Sequence, residues 1–170
     1  MRFRKGTSKN LRRARDDVGH ILLFGYKLHA SIDKRHKLVR KVIITNAAVS
    51  DSVVFYALLD PNNTSRDVYA DHGYPSAERE AMLIAAGWRV QIQRKGSANK
   101  PISETQKQRN RRIATPRARV EHVFGAMRHM GGKLVRCMGI VRATFALHLK
   151  TASYNLQRLV YLKERGIGAF

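Results

Sequence analysis

Glu121 is the one acid in a basic stretch, Thr115 to Arg128 (TPRARVEHVFGAMR), that has helical apolar spacing. At about 100° per residue, Arg117, Glu121, Gly125 and Arg128 share a narrow stripe, and Val120, Val123, Phe124 and Met127 form an adjoining apolar arc expected to face a core. Pro116 suits a first helical turn, where its missing N–H costs nothing, and Thr115 suits a cap, so a helix is expected to begin there. A second acid, Asp71, ends the short hydrophobic run DVYAD ahead of HGYPSAE. The carboxyl end of a buried strand is where α/β folds place working residues. Together the two carboxylates could hold hard divalent cations, and phosphate-ester cleavage can use two such ions about 3.5–4 Å apart. Taken singly, each has a simpler reading: a surface Glu121–Arg117 pair at i, i+4, and a turn aspartate capping His72 and Gly73.

Other chemistries have less support. No serine sits in a nucleophile-elbow context, and no GxxxxGK[ST] loop is present to cradle phosphates. His122 and His129 are seven residues apart without cysteine partners, a poor zinc set. Cys137 is the only cysteine, so no intrachain disulfide is possible and a reducing cytoplasm is the expected compartment.

The formal net charge of +21 over 170 residues points to a polyanionic partner, nucleic acid first. The charge is uneven. Residues 1–15 hold seven Lys or Arg and no acid, residues 46–93 three Arg against six acids, and residues 94–142 thirteen Lys or Arg against Glu104 and Glu121. A mildly acidic middle between basic flanks suggests one DNA-facing side. No lipidation motif, signal peptide or run of 18 apolar residues appears, so a membrane is not the expected partner.

At this length one domain with a real core is expected. Residues 1–20 read as a basic arm and 21–165 as the domain. Ile21 to Ile32 and Lys37 to Thr45 read as an antiparallel hairpin joined by Asp33 to His36, with Lys27, His29 and Ser31 on a wetter face. Next come a helix from Asp51 to about Leu59, a strand Asp67 to Asp71, a helix capped by Ser76 and stopped by Gly87, a strand Trp88 to Gln93, and a basic loop Arg94 to Lys100. From Ser103 the chain turns helical, the Glu121 helix follows, and Gly131-Gly132 breaks it. In the last helix, Ile140 to Lys163, Phe145, Leu149, Ala152, Leu156 and Leu159 are the residues expected to pack. That order implies an α/β fold, a mixed sheet covered by helices.

The motifs FGYKLHASID (from Phe24), ITNAAVSDS (from Ile44), DVYADHGYPSAE (from Asp67), RARVEHVFG (from Arg117), GGKLVR (from Gly131) and YNLQRLV (from Tyr154) occur in an order and spacing that resembles the DDE transposases of bacterial insertion sequences, in particular the group named after insertion sequence five. The resemblance implies an RNase H-like fold in which Asp71 is the second catalytic aspartate and Glu121 the glutamate. Both would be ligands of two Mg²⁺ (or Mn²⁺) ions used for DNA strand cleavage and strand transfer. Arg117 fits the arginine of the signature around the glutamate. The expected lysine seven residues after it is Arg128 and the expected tyrosine seven before it is Ala114, two departures.

Arg117 and Arg128 are the best candidates for phosphates near the scissile bond. Arg119 is a further DNA-contact candidate, and Arg94, Lys95, Arg109, Arg111, Arg112, Lys133 and Arg136 are general phosphate contacts or a solvated face. The resemblance also implies a first aspartate on a strand ahead of FGYKLHASID. The acids available there, Asp16 and Asp17, lie in a polar setting. The chain is therefore expected to be a truncated or frameshifted C-terminal part with its first strand missing, weakly active or inactive alone. Its expected partners are insertion-sequence ends and target DNA, with a homodimer or association with full-length transposase, in the bacterial cytoplasm at the nucleoid. The rival expectation is a non-catalytic basic remnant that binds DNA or inhibits the full-length enzyme.

Overall fold

In a computed structural model of the chain, the described residues are 13–15, 21–23, 25–63, 65–70, 77–96, 101–131, 135 and 137–168; residues 13–15, 21–23 and 117 are described by backbone alone. The elements run β1 (Arg13–Arg15), β2 (Ile21–Leu23), β3 (Tyr26–Ile32), β4 (Val39–Asn46), α1 (Asp51–Val54), a 3-10 turn (Tyr56–Leu58), β5 (Asp67–Ala70), α2 (Ala77–Ala85), β6 (Arg89–Ile92), α3 (Glu104–His129) and α4 (Ile140–Glu164). The mixture of helices with antiparallel and parallel strands is α/β. Among the described residues the strands form three two-stranded sheets, β1–β2 and β3–β4 antiparallel and β5–β6 parallel, in place of the single mixed sheet expected.

The expected first strand is split at Gly25, whose φ of 127° suits glycine, and its front part pairs back on β1. Residues 13–15, expected in a basic arm, are therefore strand. The β3–β4 hairpin forms as read, with Tyr26 opposite Asn46. Its expected wetter face is dry: His29 and Ser31 are buried together with Ala30 and Ile32. Polar partners offset that burial for His29, whose Nε2 lies 2.7 Å from Thr45 Oγ1 and Nδ1 3.1 Å from Asp51 Oδ1 on α1. A bulge between Ser31 and Ile32 leaves Arg40 as the extra residue of β4. Its Nη2 reaches Asp60 Oδ2 at 2.8 Å, and that guanidinium holds the Asp60 carboxyl below the ordinary carboxylate range.

β5, α2 and β6 form a βαβ unit. Gly87, at φ 78°, ends α2 as expected, and Trp88 N–H donates to Leu83 O. Val68, Ala70, Leu83, Trp88 and Ile92 pack with Val54, Phe55 and Leu58 in one apolar cluster. A second cluster, Ala30, Ile32, Val39, Val120, Val123, Met127 and Tyr154, joins the hairpin to α3 and α4, while Ile43 of β4 packs against the first.

Two helix expectations are corrected. Thr115 is not a cap: α3 is one helix of 26 residues whose N-cap is Ser103, accepting from Gln106 N–H, and Pro116 lies inside it. Proline there costs one helical hydrogen bond, yet Ile113 and Val120 are both 2% exposed, so burial on either side carries the helix through. In α4 the packed stripe is Ala143, Leu147, Thr151, Tyr154 and Leu162, whereas Phe145, Leu149 and Leu156 are exposed, Ala152 is exposed and Leu159 half-buried. The buried stripe was masked by its polar members. Thr151 Oγ1 donates to Leu147 O, Tyr154 Oη donates to Lys37 O at 2.9 Å, and Asn155 both accepts from Val39 N–H and donates to Val39 O. Thr151 thus caps a carbonyl of its own helix, while Tyr154 and Asn155 satisfy backbone groups of the hairpin, which is why polar residues hold the interface.

Candidate active site

α3 positions the residues with chemistry to offer. Val120, Val123 and Met127 are buried, Phe124 and Gly125 half-buried, and Glu121 is exposed beside them, so the acid sits at the border of the packed face as its spacing implied. Arg128 is exposed on the same stripe; Arg111, Arg112 and Arg119 are exposed elsewhere round the helix. The helix packs against β5. That strand ends at Ala70, which is fully buried, one residue before Asp71.

Asp71, Lys133 and Arg136 lie outside the described residues, as does the Ser76 cap, and Arg117 is described by backbone alone. Among the described residues no three His, Cys, Asp or Glu side chains group as a metal site. Glu121 itself offers what a hard cation takes, an accessible carboxylate oxygen.

The turn between β3 and β4 reaches both α3 and β5 through Lys34, which sequence reasoning passed over. Its carbonyl accepts from Arg119 Nη1 at 3.4 Å, and its ammonium lies 3.2 Å from Tyr69 Oη and 3.9 Å from Asp67 Oδ2. Asp67 also takes Arg89 Nε at 2.8 Å across the parallel pair. One lysine thus ties the hairpin to the solvent face of β5, while Val68 and Ala70 fill the core from the other face. No signal in KRHK marked this residue, because a lysine in a polar turn is ordinarily solvated.

Two of the general phosphate candidates serve the fold. Arg109 donates from Nη1 to Ile92 O at 2.9 Å and from Nη2 to Val90 O at 3.3 Å, fastening α3 to β6. Arg94 Nη2 pairs with Glu80 at 2.6 Å, and the Arg94 backbone is held in both directions by Asn110. The YNLQRLV motif acquires a physical role here: Tyr154, Asn155 and Arg158 each bond a backbone group of residues 36–39. Burial raises the Tyr154 phenol above its ordinary value, against a smaller opposing pull from Arg158, so its proton stays available to the Lys37 carbonyl.

Comparison with known proteins meets this geometry from another side. The sequence profile of the family described as "Transposase DDE domain" matches residues 5–156. The transposase for insertion sequence element IS1106 of Neisseria meningitidis serogroup B is 34% identical over 134 residues, which are 78% of this chain and 46% of that protein. The chain thus spans about half the length of the curated relative it matches. No solved structure matches it. No helix among the described residues is long and apolar enough to cross a membrane.

Proposed function

This chain belongs to the transposase DDE domain family, and from that premise we propose that residues 21–165 form part of the catalytic domain of an insertion-sequence transposase that cleaves and transfers DNA strands. One observation carries the reading. Glu121 is exposed at the edge of the packed face of α3, on a helix that abuts β5, the strand whose end immediately precedes Asp71. Asp67 and Tyr69 share the side of β5 that meets Lys34. An RNase H-like arrangement belongs to the proposal, with the β3–β4 hairpin, the parallel β5–β6 unit and the glutamate-bearing helix in the chain order such a fold requires.

In this reading Asp71 and Glu121 are the ligands of Mg²⁺ or Mn²⁺, which when bound supplies Lewis-acid activation of water and of a DNA 3′-hydroxyl. Arg117 and Arg128, on the glutamate's stripe, hold phosphate oxygens near the scissile bond. Arg111, Arg112, Arg119, Lys133 and Arg136 extend the contact along the backbone. Synapsis of two element ends asks for two copies, as a homodimer or with full-length transposase, at the nucleoid.

The test is cleavage of insertion-sequence ends by the chain extended upstream through an aspartate-bearing strand. Asp71→Ala and Glu121→Ala should each abolish Mg²⁺-dependent cleavage; activity surviving both changes sinks the mechanism. The 170-residue chain alone should cleave weakly or not at all, since two carboxylates hold a metal pair poorly. The runner-up, a DNA-binding remnant, is favoured by the unpaired cations described next. Its signature is DNA affinity indifferent to Mg²⁺ with no cleavage from the extended chain.

A further inference from the structure

Where the β3–β4 turn meets α3 and α4, the surface opens into a notch of about 280 Å³ walled by Lys37, His122, Ala126, Arg158 and Tyr161, among others. It lies on a different flank of α3 from the glutamate: His122 and Ala126 are about 100–140° round the helix from Glu121. Arg112 and Arg119, at seven-residue intervals before Ala126, lead along that flank into it.

Three features set the notch apart from a merely basic surface. Arg158 in its wall is held in place, and Arg165, just outside the wall, joins it on one ring. The Arg158 guanidinium lies 4.6 Å and the Arg165 guanidinium 5.1 Å from the Tyr161 ring centroid, so one ring gathers two positive groups. Arg158 Nε further donates to His36 O at 2.7 Å. Next, no acid neutralises them. Among the described residues Lys34, Arg40, Arg89, Arg94 and Lys107 pair with carboxylates, whereas Lys37, Arg158 and Arg165 pair with none. Finally, Lys37 is the only described non-glycine residue at positive φ, 62°, and Tyr154 pins its carbonyl. A left-handed backbone strains a lysine where glycine would sit without strain. Holding an ammonium at that spot is what the side chain adds.

We propose that this notch is a phosphate-binding subsite for the DNA backbone, separate from the Glu121 centre, in which Lys37, Arg158 and Arg165 grip one phosphodiester group. The proposal rests on the reading of the chain as a DNA-acting protein. Planar guanidinium forks suit the paired oxygens of a phosphodiester, and the ammonium adds a point charge at the rim. The Arg112–Arg119 row would carry the same strand along α3, over about 20 Å.

The test is the salt dependence of duplex binding by the full chain. Each phosphate contact contributes about 0.9 to the slope of log K against log salt. The double variant Lys37→Gly/Arg165→Gln should flatten the slope by one such step, and glycine at position 37 suits the backbone, so folding is preserved. Arg142→Gln/Lys163→Gln, an equal loss of two charges elsewhere on α4, should leave the slope as it is. If the unaltered chain shows no salt-dependent binding at all, the DNA reading itself fails. If it binds and the double variant keeps the full slope, the subsite alone fails. Inorganic phosphate is the second arm. If it shifts the Tyr161 ring resonances while DNA does not, the notch is a free-phosphate site and the proposal is overturned.

Discussion

The two hydrophobic clusters are closed by different means. The cluster under β5 and β6 is sealed by volume: Phe55 and Leu58 are fully buried, Leu83 and Ile92 are 1% exposed, and every member is apolar. The cluster between the hairpin and α4 is smaller in side-chain bulk. It is completed by hydrogen bonds from Tyr154 and Asn155 to backbone groups of the hairpin turn and β4. The candidate carboxylates divide between them, Asp71 following a strand of the first and Glu121 riding on the helix that covers the second. α3 spans the two, bonded to β6 through Arg109 near its start and packed on the hairpin near its end. One helix therefore keeps two dissimilar packings in register.

That distinction can be broken by mutation. Phe55→Ala should have the largest effect, a loss of about 3–5 kcal/mol in chemical denaturation, since a fully enclosed aromatic leaves a cavity that neighbours fill poorly. Asn155→Ala should cost less, about 1–3 kcal/mol, by stripping partners from both the N–H and the C=O of Val39. Were the asparagine change to match the phenylalanine one, volume and polar closure would not be distinct. Tyr154→Phe isolates a single bond and should cost about 1 kcal/mol, with the Lys37 turn loosened first in amide exchange.

The smallest effect belongs to the Arg40–Asp60 pair outside both cores. Its arginine holds the Asp60 carboxyl depressed in the folded state, so the pair stabilises above the unfolded value near 4 and that contribution fades as pH falls through the folded value. Arg40→Gln should therefore remove under about 1 kcal/mol at neutral pH and nearly nothing at pH 2, read from paired denaturation curves.

How far the chain could be read in advance depended on what each residue spends its side chain on. The hairpin, the βαβ unit and the apolar arc around Glu121 were legible because periodicity of two or about 3.6 reports a face directly. The α4 interface was not. Phe145, Leu149 and Leu156 keep helical spacing as faithfully as the stripe that is buried, and Thr151, Tyr154 and Asn155 carry polar atoms that no periodicity assigns to a core. Only the partner, an edge of backbone needing donors and acceptors, reverses that preference. Pro116 misled in the same way, as local propensity announced a helix start that burial of Ile113 and Val120 overrides. Lys34 and Lys37 were invisible because nothing in a polar turn says which lysine meets another element. Asp71 and Glu121 stood out through type, spacing and family resemblance together.

The amide of Asn155 carries one more consequence. By taking the N–H and the C=O of Val39 at once, it fills the sockets that a visiting strand would need to zip onto that stretch of β4. An open ribbon edge there would invite pairing between copies of the chain. One neutral side chain works as a stopper, so that stretch of backbone is closed to a second copy.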